Sequence, residues 1–142
     1  MAATRTAQTS WEGSLQEGAG KVSLDSSGIG TYDVSWAART EEANGKTSPE
    51  ELIAAAHSSC FSMQLSGALA KADTPPSSLK TKADVTFQPG EGITGIHLTV
   101  VGTVEGVSEE VFVAAAEDAK KNCPVSQALA AVKSITLDAS LA

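Results

Sequence analysis

Ser48-Pro49-Glu50-Glu51-Leu52-Ile53-Ala54-Ala55-Ala56-His57-Ser58-Ser59-Cys60-Phe61-Ser62-Met63 is the stretch that organises this chain. Ser48 is a residue type that caps helices. Pro49 suits a first helical position, and Glu50 and Glu51 face the positive end of the helix dipole. The helix is predicted to run to about Lys71, because Thr74-Pro75-Pro76 cannot continue it. It carries one of only two cysteines in the chain, Cys60; the other, Cys123, stands immediately before Pro124.

On the N-terminal side, residues 6–40 hold short alternating segments broken by glycine, such as Lys21-Val22-Ser23-Leu24 and Tyr32-Asp33-Val34-Ser35-Trp36. Period-two patterning of this kind predicts a strand meander, with Arg39 at the end of its last strand. On the C-terminal side, alternation returns over Lys80–Val104 and is broken by a Pro89-Gly90-Glu91-Gly92 turn. Ser108-Glu109-Glu110 opens a second helix ending near Lys120-Lys121-Asn122. Cys123-Pro124 starts a short helix to roughly Ala131, and a strand over Ile135–Leu141 closes the chain. This order predicts one α+β domain, residues 1–142, with a largely antiparallel sheet.

Composition narrows the function. Hydrophobic residues make up 42% and charged residues 19%, and no apolar run approaches the roughly 18 residues that span a bilayer. A net charge of −7, with no basic cluster, repels a phosphate backbone, so neither nucleic acid nor membrane is an expected partner. Met1–Ala7 lacks the apolar core of a secretory signal, so a cytoplasmic location is expected, where ordinary thiols stay reduced. Two cysteines there are either inert core thiols or a redox pair.

At about 100° per residue, His57 falls about 60° and Glu50 about 80° from Cys60 around the helix, with Glu51 opposite. Glu50 is still about 15 Å along the axis from Cys60, too far for contact within one helix. If Glu50 serves that thiol, it comes from a second chain. Two such helices crossing antiparallel near Ala54-Ala55-Ala56 would allow this; the alternative, the commoner one for a lone alanine-rich helix, is that the alanines simply pack under a sheet.

A mid-helix Cys60 flanked by Phe61, Met63 and Leu65 has an apolar setting that raises a thiol pKa, so reactivity requires a cation. The chain has two arginines, Arg5 and Arg39. Arg39, just before the helix, suits the task if Glu50 holds it in a bidentate pair, or else it is a solvated surface residue. Cys123 before Pro124 faces the open amides of a helix start, which lower a thiol pKa. Zinc is not expected: Cys60, Cys123, His57 and His97 are enough in number, but no two have a recognised metal-ligand spacing. His57 reads as a hydrogen-bonded core or interface residue and His97 as a strand residue facing solvent.

Trp11-Glu12-Gly13, the run Thr47 to Met63, and Asn122-Cys123-Pro124-Val125-Ser126-Gln127 together resemble the osmotically inducible protein C (OsmC)/Ohr family of organic hydroperoxide reductases over nearly the whole chain. Ser48 stands where that family usually has Asn, which preserves the cap. The resemblance implies an obligate, intertwined homodimer in which sheets wrap long central helices and both sites lie at the interface. It implies Cys60 as peroxidatic cysteine, Cys123 as resolving cysteine, Arg39 as activating arginine and Glu50 as its carboxylate partner. The place of Arg39 just before the helix resembles the OsmC branch. The implied activity is a thiol peroxidase in oxidative or osmotic stress defence. It would reduce organic hydroperoxides, and hydrogen peroxide more weakly, through a Cys60 sulfenic acid and a Cys60–Cys123 disulfide, regenerated by a small dithiol or lipoyl-type reductant. Nothing resembles a haem, flavin or nicotinamide site, so no cofactor is expected. Phe61, Met63 and Leu65 are expected to form an apolar wall favouring bulky hydroperoxides. The rival readings are a homodimeric small-ligand-binding module and a thiol redox sensor on the same fold.

Overall fold

A computed structural model describes residues 1–142. The chain divides into two compact units, Met1–Leu52 and Ile53–Ala142.

The first unit is an antiparallel meander of β1 (Gln8–Glu12), β2 (Ala19–Ser23) and β3 (Thr31–Val34), followed by a short helix α1 (Trp36–Thr40). Gly20 is required at its centre: a Cβ there would lie 2.7 Å from the Trp11 ring and 3.0 Å from Val34 Cγ2. The expectation that the third strand reaches Trp36 and that Arg39 ends a strand is corrected here. Ser35 Oγ accepts the Ala38 N–H at 3.1 Å, so the chain turns into α1, and Arg39 is helical. Little of this unit is buried beyond Gly20, Val22 and Glu50, whereas Trp11, Leu15, Ile29 and Tyr32 are exposed.

Helix α2 (Pro49–Lys71) begins at the end of that unit and continues into the second. Its start is as the sequence implies: Ser48 Oγ accepts the Glu51 N–H at 3.2 Å. The second unit adds β4 (Ser78–Gln88), β5 (Gly92–Thr103), α3 (Glu109–Asn122), α4 (Pro124–Ala128) and β6 (Ile135–Leu141). β4 and β5 form the expected antiparallel hairpin, and β6, whose direction the sequence left open, lies parallel to β5 as the one exception to a largely antiparallel strand pairing. A parallel neighbour needs a long connection, and α3 and α4 supply it. α4 stops at Ala128, short of the expected Ala131.

The core of this unit forms where a stripe on α2, Phe61, Leu65 and Leu69, meets Leu98 and Val100 of β5 and Phe112, Ala116 and Ala119 of α3. Spacing by four residues places the stripe on one helix face. Phe112 packs across Gly102, where a Cβ would lie 2.5 Å from the ring. His57 continues the stripe by one turn and is fully buried, and desolvation lowers its pKa.

Phe112→Ala is expected to cost about 3–5 kcal/mol in urea unfolding, through lost burial and the cavity left behind. A second expectation concerns pH. Because the folded state holds His57 below its ordinary value, the unfolded chain binds the extra proton first. Stability should therefore fall as pH drops below about 6.5, the ordinary histidine value, and His57→Gln should flatten that slope.

Candidate active site

Cys60 sits on α2 one residue before Phe61 and is half-buried against the core of the second unit. Cys123 is fully buried at the junction of α3 and α4. Its N–H donates to Ala119 O at 2.8 Å, ending α3, and its carbonyl accepts the Gln127 N–H at 3.0 Å, starting α4. Its extended backbone is what a residue before proline adopts. Both cysteines are free thiols, and Cys60 packs against the buried cluster that includes Cys123.

Burial pushes the Cys60 thiol above its ordinary pKa, and the Cys123 side chain pushes it further up. The backbone amide of Val125, one of the open amides at the start of α4, pulls part of the way back. This redistributes the help expected from α4. Cys123 makes no side-chain capping bond to that helix, and the amide acts on Cys60 instead.

In the first unit, Arg39 and Glu50 form a side-on bidentate pair. Nε donates to Oε1 at 2.9 Å and to Oε2 at 3.2 Å, and Nη2 lies 2.8 Å from Oε1. Glu50 is buried and lies in the first turn of α2, where the dipole favours its charge. The Arg39 guanidinium also lies 5.8 Å from the centre of the Trp36 ring. Glu51, as its helical position implies, turns away and accepts the Thr47 hydroxyl at 2.6 Å. Beside Arg39, an apolar groove of about 380 Å³ is lined by Trp11, Leu15, Val22, Trp36 and Leu52.

Thus Cys60 packs against the cluster that holds Cys123 within residues 53–142, and Arg39 and Glu50 pair within residues 1–52. The expected apolar wall is not built from Phe61, Met63 and Leu65: Phe61 and Leu65 are fully buried in the core, and Met63 is 74% exposed. His57 is hydrogen-bonded in the core, with Nε2 2.7 Å from Ser126 Oγ, while Nδ1 has no partner. His97 lies on the open face of the sheet with Nδ1 2.6 Å from Thr136 Oγ1 and Nε2 3.1 Å from Asp138. Sequence reasoning gave Ser126 and the Val125 amide no role. The available signal was the three-residue spacing from Cys123 to Ser126 across a helix start, which sets both on one face.

The OsmC-like protein family model matches residues 41–138. The chain is 40% identical over 144 residues to the protein named peroxiredoxin OsmC of Escherichia coli K12, covering 99% of each. An OsmC-like protein from Mycoplasma pneumoniae superposes with a TM-score of 0.73 at 15% identity, covering 99% of both chains. An organic hydroperoxide resistance protein from Elizabethkingia anophelis superposes with a TM-score of 0.66 at 23% identity, covering 100% of this chain and 99% of the other. These two share the fold, and the resemblance drawn from the sequence motifs is borne out. With its family model spanning residues 41–138 and 40% identity along the full length of a relative, this chain belongs to the OsmC family.

Proposed function

We propose that this chain is a cysteine-based peroxidase that reduces organic hydroperoxides, with residues 1–142 acting as one functional domain in a cytoplasmic homodimer. The observation that carries the reading is the packing of Cys60 against the buried cluster that holds Cys123. A whole-length relative bearing the name peroxiredoxin supports the peroxidase class, and a structural neighbour named for organic hydroperoxide resistance supports the substrate class.

The Cys60 thiolate attacks the distal oxygen of the hydroperoxide. The O–O bond breaks, Cys60 becomes a sulfenic acid, and the alkoxide leaves as the alcohol after taking a proton. Cys123 then condenses with the sulfenic acid to give the disulfide and water. A small dithiol or lipoyl-type reductant restores both thiols. No cofactor enters the cycle.

The raised pKa of Cys60 opposes this chemistry, and the Arg39 guanidinium is the group that would offset it. Glu50 orients Arg39, yet it lies ten residues from Cys60 on α2, about 15 Å of helix rise. The Arg39–Glu50 pair therefore acts on the Cys60 of a second copy. Ala55, Ala56, Ser59, Met63 and Gly67 leave α2 an exposed face of mostly small side chains on which the helix of that copy packs. Arg39 then stabilises both the thiolate and the developing alkoxide, and the apolar groove beside it takes the organic group of the substrate. The same groove favours a second reading, a small-ligand-binding module, which would bind an apolar compound without turnover.

Turnover of cumene hydroperoxide with a dithiol separates the readings. Wild type is expected to turn over and Cys60→Ser to consume nothing, while Cys123→Ser reduces about one equivalent and stalls. Absence of wild-type turnover would leave the binding module. Arg39→Lys keeps the charge but loses the planar fork, and kcat/KM is expected to fall at least about tenfold. Sedimentation should give twice the 14.4 kDa chain mass.

A further inference from the structure

α4 has only five residues, too few to hold its own conformation, so its place depends on what it touches. Contacts tie it and its Cys123 cap to α2 in two rows. In one, Cys60 packs against the buried cluster that includes Cys123; in the other, His57 Nε2 lies 2.7 Å from Ser126 Oγ. The rows match because His57 and Cys60 are three residues apart on α2, and Cys123 and Ser126 are three apart at the start of α4.

The two rows respond differently to the catalytic cycle. Once Cys60 carries a hydroxyl, its sulfur no longer presents the same group to Cys123 or to Val125. The His57–Ser126 bond involves neither sulfur and survives that change. It is also fully sequestered: His57 is 0% and Ser126 7% exposed, and His57 Nδ1 has no partner. Ser126 is thus the polar partner that the buried imidazole has, and its loss would strand the ring.

We infer that His57 and Ser126 are positioning residues for disulfide formation, their hydrogen bond holding α4 on α2 so that Cys123 stays within reach of Cys60 after Cys60 is oxidised. The inference deepens the peroxidase reading and rests on it for the order of steps. In the assisted step the S–O bond of the Cys60 sulfenic acid breaks and the Cys60–Cys123 S–S bond forms. The Cys123 proton leaves with the hydroxyl as water, so no further oxidant is needed.

The test is a single turnover with one equivalent of cumene hydroperoxide, trapping Cys60 sulfenic acid with dimedone over time. In Ser126→Ala the acid should form at a rate within about twofold of wild type and decay at least about tenfold more slowly, the scale set by a lost buried hydrogen bond. Ser126→Thr, which keeps the hydroxyl, should restore the decay, and His57→Phe should reproduce the defect. Unchanged decay, or equal slowing of formation and decay, would overturn the inference. A second arm needs no peroxide: equilibration of the Cys60–Cys123 disulfide with dithiothreitol should show an effective concentration about tenfold lower in Ser126→Ala. An unchanged value there overturns the clamp. If wild type forms no sulfenic acid, the peroxidase reading fails, and the dithiothreitol arm still decides whether the clamp exists.

Discussion

The burial of one face of α2 governs the rest. Phe61, Leu65 and Leu69 are pinned on β5 and α3, which fixes the rotation of the helix about its axis. Cys60, about 100° around from Phe61, then falls on the border of the buried stripe and not in its middle. It is covered enough to pack against the cluster that holds Cys123 and open enough to be reached. The rotation that buries the stripe leaves Ala55, Ala56, Ser59, Met63 and Gly67 outward, so a single packing decision sets both the place of the thiol and an exposed face of mostly small residues.

Electrostatics adds a tension that packing alone does not resolve. Burial and the Cys123 neighbour hold Cys60 in its neutral form, the opposite of what a nucleophile requires, and the Val125 amide offsets only part of this. The strong charge pair is built elsewhere, by Arg39 and a buried Glu50 at the start of α2. A part-buried, side-on pair of this kind is costly to desolvate on its Glu50 side and adds little stability. What it supplies is a guanidinium held in a fixed orientation. On the proposed reading, the cysteine that lacks a cation and the guanidinium that is held rigid supply each other across two copies of the chain.

Much of this was legible in the chain. Ser48, Pro49 and the acids after them gave the start of α2, and Thr74-Pro75-Pro76 bounded its end, because capping and proline chemistry are local. The strands of the second unit were readable from alternation, and Ile135–Leu141 appears as expected. Where the reading missed or stayed open, the deciding interactions were not local. Trp36-Ala37-Ala38-Arg39 has no alternation to lose, and only the Ser35 cap shows that the chain turns helical there. The parallel placement of β6 depends on where α3 and α4 return the chain, which no pattern within β6 encodes. Phe61 and Leu65 were assigned to a wall around Cys60, but neighbours on a helix point to different sides, and the core claimed both. For Ser126 the chain offered only its spacing from Cys123 across a helix start, and what that face meets depends on where α4 packs.

The central claim is that Arg39 of one chain serves Cys60 of another, and subunit complementation tests it most directly. Cys60→Ser and Arg39→Gln chains carrying different tags would be co-expressed, the mixed dimers isolated by both tags, and hydroperoxide turnover compared with each parent. A mixed dimer holds one intact pairing, Arg39 of the first chain with Cys60 of the second, so roughly half of wild-type activity is expected although both parents are impaired. Activity in the mixed dimer no higher than in the Arg39→Gln parent would mean that the arginine acts within its own chain, and the shared site would be contradicted.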